Sequence, residues 1–269
     1  MRGMLDAAYK HNYRLVLGGS QGYQDEISQI VNIMQSSQAD GIIVMSSRLD
    51  VDTIDQLNDL NTPFVLIGNP PYKKHAHITW VDADNQQATR QAVEHLLNLG
   101  HQKIAYVGGD PKNLTTRERQ LAYEETMQAA GITPNPKWID YGYFDEPGGY
   151  TAVQRMKTLG NQIPSAYYAA NDLMAIGILR ALDELNLKVP KDISVIGTNN
   201  SYISKHTTPP LTTVEVPYAE IARKATNLLH TQITKNNTVP ANYVESCKLI
   251  VRESTGTAPK TGAEFKNGI

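Results

Sequence analysis

Short apolar runs alternate along this chain with longer stretches in which apolar residues recur at helical spacing. Ten of the runs are rich in β-branched or aromatic residues and are bounded by Gly, Pro or Asn, a pattern typical of β-strands. The predicted strands are Arg14–Leu17, Gly41–Met45, Phe64–Ile67, His77–Val81, Lys103–Val107, Ile139–Tyr143, Ala166–Ala169, Ser194–Gly197, Thr212–Val216 and Lys248–Arg252.

Amphipathic helices are predicted between these runs. One carries the apolar stripe Ile27–Met34, and another carries Val93–Leu97 and ends before Gly100. Residues 1–10 also have helical periodicity. Strands that alternate with helices form parallel sheets covered on both faces. Because ten strands fit two sheets more easily than one, we predict an α/β protein of two doubly wound parallel-sheet lobes, with ligand bound in a cleft at the strand carboxyl ends.

Composition narrows the function classes. The 25 Lys and Arg residues against 27 Asp and Glu give a net charge of −2, which argues against a broad basic surface for nucleic acid or anionic membrane. One cysteine, Cys247, excludes an internal disulfide and a thiolate metal cluster. The longest apolar stretch, Leu173–Leu179, is too short to cross a bilayer, and no secretory signal is visible at the N-terminus. We therefore predict a cytoplasmic protein.

Motifs for catalysis and cofactor binding are few. Gly18–Gly22 satisfies the G-x-S-x-G pattern after a predicted strand, so a serine hydrolase that uses Ser20 is one alternative, although a polar turn explains the same residues. His75 and His77 could approach one metal ion, but no third ligand has suitable spacing. The usual Gly-rich phosphate cradles are missing. We predict a binding protein without metal, cofactor or enzymatic activity.

Polar and aromatic residues near the predicted strand ends suit a carbohydrate. Sugar rings pack their C–H faces on aromatic planes, while their hydroxyls pair with amides, carboxylates and the forked Arg side chain. Each residue also has a structural interpretation, as core, helix cap or surface ion pair. The candidate ligand-binding residues are Asn69, Trp80, Asp84, Arg119, Phe144, Asn171, Asp172, Asn199 and Tyr218.

Several segments resemble, in their order along the chain, the effector-binding core of the lactose/galactose repressor (LacI/GalR) family, which has the type I periplasmic-binding-protein fold. The most specific segments are Val189–Gly197 and Pro209–Val214. The others are Val81–Asn85, His95–His101, Lys103–Gly109, Arg119–Tyr123 and Ala170–Gly177. Together they cover most of residues 1–255.

The resemblance implies roles for some of the candidates. Arg119 matches the family's sugar-clamping arginine, and Asn171 with Asp172 matches its polar pair at a helix start. Trp80, Phe144 and Tyr218 match positions that face the sugar ring. After Gly197 the family usually has an aromatic residue and two aspartates, whereas this chain has Thr198–Ser201, with amides at 199 and 200. That variant looks like the maltose-regulator branch, which implies a maltose-type α-glucoside as effector.

The same resemblance implies the domain organisation. Residues 1–80 with 218–246 would form one lobe and residues 81–217 with 247–257 the other, joined by a three-strand hinge and followed by a polar tail at 258–269. The family also has an N-terminal helix-turn-helix headpiece, a hinge and a first sheet strand, which these 269 residues do not include. This chain alone is therefore not expected to bind an operator.

The predicted function is that of the sugar-sensing, homodimeric core of a transcription regulator, in which closure of the lobes on a sugar controls operator binding by the headpiece. An extracytoplasmic sugar-binding protein of a transporter is the alternative, since it has the same fold.

Overall fold

The computed structural model describes residues 1–18, 28–33, 39–45, 54–57, 62–70, 77–158, 163–235 and 239–259. The chain divides into two compact units. Unit 1 comprises Met1–Ala83 with Pro217–Glu245, and unit 2 comprises Asp84–Val216 with Ser246–Ile269. The backbone therefore passes from one unit to the other three times.

Helices and strands alternate through most of the described residues. In chain order the elements are α1 (Arg2–Lys10), β1 (Ile42–Val44), β2 (Phe64–Ile67), β3 (Trp80–Ala83), α2 (Asn85–Asn98), β4 (Ile104–Gly108), α3 (Leu114–Ala129), β5 (Ile139–Tyr141), α4 (Glu146–Lys157), β6 (Ala166–Ala169), α5 (Asp172–Glu184), β7 (Ser194–Asn199), β8 (Thr212–Glu215), α6 (Tyr218–Lys235), β9 (Asn242–Glu245) and β10 (Lys248–Ile250). Residues 28–33 and 54–57 are also helical, and Pro136–Trp138 and Tyr202–His206 form 3-10 turns.

Unit 1 contains a parallel sheet of order β1-β2-β3-β9. A cluster that includes Val44, Phe64 and Leu66 forms its described apolar core, against which Trp80 packs half-buried. Helix α1 lies on α6 and approaches it closely, since a Cβ added at Gly3 would lie 2.1 Å from the Ala219 carbonyl oxygen. The amphipathic helix predicted for residues 1–10 is therefore present and is held by its small residues.

Unit 2 contains a six-stranded sheet of order β10-β8-β7-β6-β4-β5. The strands β8, β7, β6, β4 and β5 are parallel, and β10 adds an antiparallel edge. Tyr106, Tyr123 and Tyr168 are buried in its core, and the Tyr123 hydroxyl donates to the Ile104 carbonyl at 2.7 Å. Burial raises the pKa of the Tyr123 hydroxyl, so this hydroxyl stays protonated and uncharged. The predicted α/β class with parallel sheets is confirmed.

Nine of the ten predicted strands overlap an observed strand, and one is wrong. Arg14–Leu17 lies outside any strand, with Val16 and Leu17 at 74% and 66% exposure. A strand needs a hydrogen-bonded neighbour, and the described residues pair this segment with none. Conversely, β9 was not predicted, because its residues are mostly exposed and lack an apolar run. Helix α2 ends as predicted, with Gly100 at φ +87°.

Helices α4 and α5 meet through glycines. A Cβ added at Gly177 would lie 2.0 Å from the Glu146 carbonyl oxygen and 2.7 Å from the Tyr150 amide nitrogen. A Cβ at Gly149 would similarly meet the Met174 carbonyl oxygen at 2.0 Å. Backbone atoms cannot give way as flexible side chains can, so these glycines set the distance between the helices.

Gly177→Ala is expected to lower the free energy of unfolding by about 1–3 kcal/mol, because the added methyl forces α4 and α5 apart. The loss caused by this steric contact should exceed the gain of roughly 1 kcal/mol that comes from the higher helix propensity of alanine. Urea unfolding measures the change, with Thr151→Ala on the exposed side of α4 as the control. A Gly177→Ala protein as stable as the wild type would contradict the close packing.

His101 anchors the C-terminal segment of unit 2. Its ring is 1% exposed, with Nδ1 2.9 Å from Ser165 Oγ and Nε2 3.0 Å from both Ser194 Oγ and the Gly256 carbonyl oxygen. A neutral imidazole donates from one nitrogen and accepts at the other, and these partners can satisfy both, since the Gly256 carbonyl oxygen accepts and the Ser165 hydroxyl can donate. Burial lowers the pKa of His101 below its ordinary 6.5, opposed by the bond to Gly256 and reinforced by the charge of His95.

The lowered pKa predicts acid sensitivity. Above pH 6.5 the ring is neutral in the folded and the unfolded chain. As the pH falls below 6.5 the unfolded chain takes up a proton first, so stability decreases until the folded pKa is reached. His101→Gln is expected to lose less stability than the wild type over this interval, because glutamine takes up no proton. Urea unfolding on both sides of pH 6.5 measures the difference, and parallel curves would refute it.

Candidate functional site

The carboxyl edge of the unit 2 sheet gathers four of the predicted residues. Asn171 and Asp172 follow β6, Asn199 ends β7, and Phe144 follows β5. Parallel strands end at the same edge of a sheet, so these residues come from neighbouring loops. Asn171 confirms the proximity directly, because its Nδ2 donates to the Phe144 carbonyl oxygen at 2.8 Å.

Asn171 links this edge to helix α5. It is the N-cap of the helix, and its Oδ1 accepts from the Met174 amide at 2.8 Å. The structural interpretation as a helix cap is therefore confirmed for this residue. The oxygen and the nitrogen of the side-chain amide therefore both form hydrogen bonds within the protein, which fixes the orientation of the side chain.

Asp172 connects α5 to two further elements. Its side chain is buried, with Oδ1 accepting from Thr213 Oγ1 at 2.5 Å and Oδ2 accepting from the Ser201 amide at 2.6 Å. Burial raises the pKa of this carboxyl group above its ordinary 3.8, while the bonds from Thr213 and Ser201 and the charge of Arg252 oppose that rise. Asp172 thus ties α5, β8 and the turn after β7 together.

Arg119 is 3% exposed and reaches the end of β6 from helix α3, so its interpretation as a surface ion pair is wrong. Its guanidinium donates to the Ala170 carbonyl oxygen and, at 3.0 Å, to Asn85 Oδ1. Asn85 was not predicted as a site residue. It in turn donates to Glu118 Oε2 at 3.0 Å. The sequence signal that could have identified Asn85 is its position directly after Asp84. Asp84 is the N-cap of α2, and its Oδ1 accepts from the Gln87 backbone amide.

Phe144 presents a half-buried ring at the same edge. Its backbone has φ +66°, in the left-handed region that few side chains adopt. The ring lies on the backbone of Gly109, where an added Cβ would be 2.0 Å from ring atoms. Gly109 thereby makes room for a flat apolar surface, which is the kind of surface that stacks on a sugar ring.

The other three predicted residues belong to unit 1. Trp80 packs half-buried against the apolar cluster of that unit. Asn69 follows β2 and is exposed, and its backbone amide donates to Asp82 Oδ2 at 3.0 Å. Tyr218 is the half-exposed first residue of α6.

Two residues considered for other chemistry, Ser20 and His75, lie outside the described residues. Among the residues that the structure describes, no group of three or more His, Cys, Asp or Glu could hold a metal ion. No helix in those segments is long and apolar enough to span a bilayer.

Two open surface depressions are bordered by none of the predicted site residues. One, of about 500 Å³, is bordered by Gln120, Glu124 and Tyr141 in unit 2. The other, of about 410 Å³, is bordered by Arg223 and Lys224 in unit 1. Their open shape differs from the enclosed form of a typical small-molecule site. We therefore place the candidate site by the residues at the carboxyl edge.

Comparison with known proteins identifies the class and then the family. Residues 93–255 match the family described as periplasmic binding protein-like domain. The chain is 31% identical over 250 residues to the HTH-type transcriptional repressor PurR of Haemophilus influenzae, covering 91% of this chain and 73% of the repressor. This chain belongs to the LacI family of transcriptional regulators, of which it forms the effector-binding domain.

Solved structures agree with this assignment. A putative LacI transcriptional regulator from Bacillus cereus subsp. cytotoxis has a TM-score of 0.91 and 32% identity, covering 96% of this chain and 91% of that one. A complex of the transcriptional regulator CelR with cellobiose has a TM-score of 0.88 and 29% identity, covering 94% and 76%. These relatives are named as regulators, so they do not favour the transporter alternative.

Asp172 gives this edge a pH dependence. Because its folded pKa is raised, the contribution of Asp172 to stability is fully present below pH 3.8 and is lost as the pH rises through the folded pKa. The stability difference between wild type and Asp172→Asn should therefore shift against the wild type over that rise. Loss of the hydrogen bond from Ser201 in the variant shifts this stability difference by the same amount at every pH. The test is therefore how the difference changes with pH, not its absolute size. Denaturant unfolding across the interval measures it, and a flat difference would contradict the raised pKa.

Proposed function

We propose that this chain senses a sugar effector and that effector binding controls DNA recognition by a helix-turn-helix segment outside these 269 residues. The observation that carries the proposal is the grouping of an aromatic ring, two amides and an arginine at one sheet edge, namely Phe144, Asn171, Asn199 and Arg119. An aromatic ring with surrounding hydrogen-bonding groups suits an uncharged polyol. The cellobiose complex of CelR supports the same ligand class.

Within this proposal the residues have different roles. The Phe144 ring packs on the apolar face of the sugar, while Asn171, Asn199 and Arg119 supply hydrogen bonds to hydroxyls. Asp172 and Asp84 hold the local backbone through their bonds to Ser201 and Gln87. We extend the ligand-binding role to Asn69, Trp80 and Tyr218, on the resemblance of unit 1 to the family.

The proposed effector is a disaccharide. The amide pair Asn199–Asn200 points to a maltose-type α-glucoside through the family branch that it resembles, whereas the CelR complex contains cellobiose. Both sugars are uncharged and offer several hydroxyls to amide partners, so a direct comparison of their affinities discriminates between them.

We further propose a cytoplasmic homodimer in which effector binding shifts a conformational equilibrium, with closure of the lobes as the motion. Two copies would present paired helix-turn-helix segments to two operator half-sites. The coupling between effector and operator binding would be about 1–3 kcal/mol, or roughly 5- to 150-fold in operator affinity.

Isothermal titration calorimetry with maltose, cellobiose and glucose tests the proposal. We expect one disaccharide to bind the wild type, and Phe144→Leu to weaken that binding by about three- to tenfold, because a branched aliphatic side chain cannot stack as a flat ring does. Tyr9→Leu is the control, since Tyr9 is an exposed aromatic residue on α1 in unit 1.

Two results would contradict the effector assignment. One is a wild-type protein that binds none of these sugars, nor the corresponding sugar phosphates. The other is a Phe144→Leu protein that binds as tightly as the wild type. Thermal unfolding of each variant shows whether it is folded at the temperature of the titration.

A further inference from the structure

A charged network lies beside the turn that follows β7. The amide of Asn200 bridges two opposite charges, with Nδ2 donating to Glu215 Oε1 at 2.9 Å and Oδ1 accepting from the Arg252 guanidinium at 2.6 Å. All three side chains belong to unit 2 and are half-buried. The turn that carries Asn199 is therefore linked to β8 and to the C-terminal segment.

The two charges explain why position 200 is an amide. An amide can donate to a carboxylate with one end while accepting from a guanidinium with the other, whereas an ionised carboxylate can only accept. An aspartate at this position would still accept from Arg252 but would set a second carboxylate against Glu215. The same two neighbours determine which end of the amide carries the nitrogen.

Arg252 secures the turn at more than one point. Its guanidinium also donates to the Leu211 carbonyl oxygen at 2.6 Å and to Ser204 Oγ at 3.2 Å. Ser204 is buried and donates to the Ser201 carbonyl oxygen at 2.7 Å. The backbone amide of Ser201 in turn donates a hydrogen bond to Asp172 Oδ2. The turn is thus attached both to the start of α5 and to the segment after β10.

The backbone of this turn needs such support. Asn199 has φ +111° and Asn200 has φ +51°, so two consecutive residues adopt the left-handed region. Asparagine tolerates that region better than most residues, but a run of two persists only when the surroundings hold it. The bonds of Asn200 and Ser201 provide that support.

We propose that Asn200 is a positioning residue for effector binding: held between Glu215 and Arg252, it fixes the turn on which Asn199 meets the sugar. The inference rests on the proposed function, because it concerns the same site. It also explains why this chain has Asn199 and Asn200 where the family usually has two aspartates. The amide at 200 donates to Glu215, while the amide at 199 recognises the effector.

Moving the carboxylate tests this assignment. Asn200→Asp should loosen the turn, because two carboxylates then face each other. The double variant Asn200→Asp with Glu215→Gln should restore it, since the new amide at position 215 can donate to the new carboxylate at position 200. That carboxylate still accepts from Arg252, and the total charge equals that of the wild type. Glu215→Gln alone should change little, because its carbonyl oxygen can still accept from Asn200.

Two measurements are compared on the four proteins and on a matched control. Hydrogen exchange by mass spectrometry reports the protection of the amides of residues 200–206, and calorimetry with maltose and cellobiose reports effector affinity. Asn186→Asp is the control, because Asn186 is exposed and has a similar φ of +57°. We expect Asn200→Asp to exchange faster and to bind about tenfold more weakly, with both properties restored in the double variant.

The outcomes separate the two proposals. Faster exchange with unchanged affinity in Asn200→Asp would overturn the positioning role and leave a purely structural one. Failure of the double variant to restore protection would overturn the charge-bridging assignment itself. If the wild type binds neither sugar while exchange follows the expected pattern, the effector assignment fails and the ordering of the turn by Asn200 is supported.

Discussion

The candidate site of unit 2 depends on one buried carboxylate, that of Asp172. It lies at the first residue of α5, where the helix N-terminus favours negative charge, and accepts from Thr213 on β8 and from the Ser201 amide. Removing a carboxylate from water is unfavourable unless donors replace the lost hydration. Three separate pieces of chain therefore have to meet at this point, and the loops that carry the candidate ligand-binding residues are positioned as a result.

The same principle governs the neighbouring side chains. Arg119 holds the end of β6 through Ala170, and Asn171 joins the loop of Phe144 to α5. Asn200 joins the opposite charges of Glu215 at the end of β8 and Arg252 after β10. Groups that already bond within the protein lose little conformational freedom when a ligand arrives. Under the proposed function, an edge whose side chains are held in this way would recognise the arrangement of hydroxyl groups on a sugar, because a hydroxyl at a different position would not reach its hydrogen-bonding partner.

Some of the site could be predicted from the sequence and some could not. Asn171 directly precedes an apolar helical pattern, so its capping role follows from local chemistry. Asn85 was missed because its importance comes from Arg119, a residue 34 positions away in sequence. Arg252 was likewise missed, since its partners Asn200 and Ser204 are distant in the chain and meet it only across the sheet.

The sequence by itself determined the fold class, nine of the strands, the end of α2 at Gly100 and the family resemblance, because each of these depends on periodicity or on short motifs of adjacent residues. Tertiary structure decided that Arg14–Leu17 is not a strand, that the mostly exposed residues Asn242–Glu245 form one, and that β10 runs antiparallel to β8. Whether a segment becomes a strand depends on a partner for its backbone hydrogen bonds, and that partner is remote in sequence. The burial of Arg119 and the bridge through Asn200 have the same origin, since a charged side chain can leave water only where the fold supplies its partners.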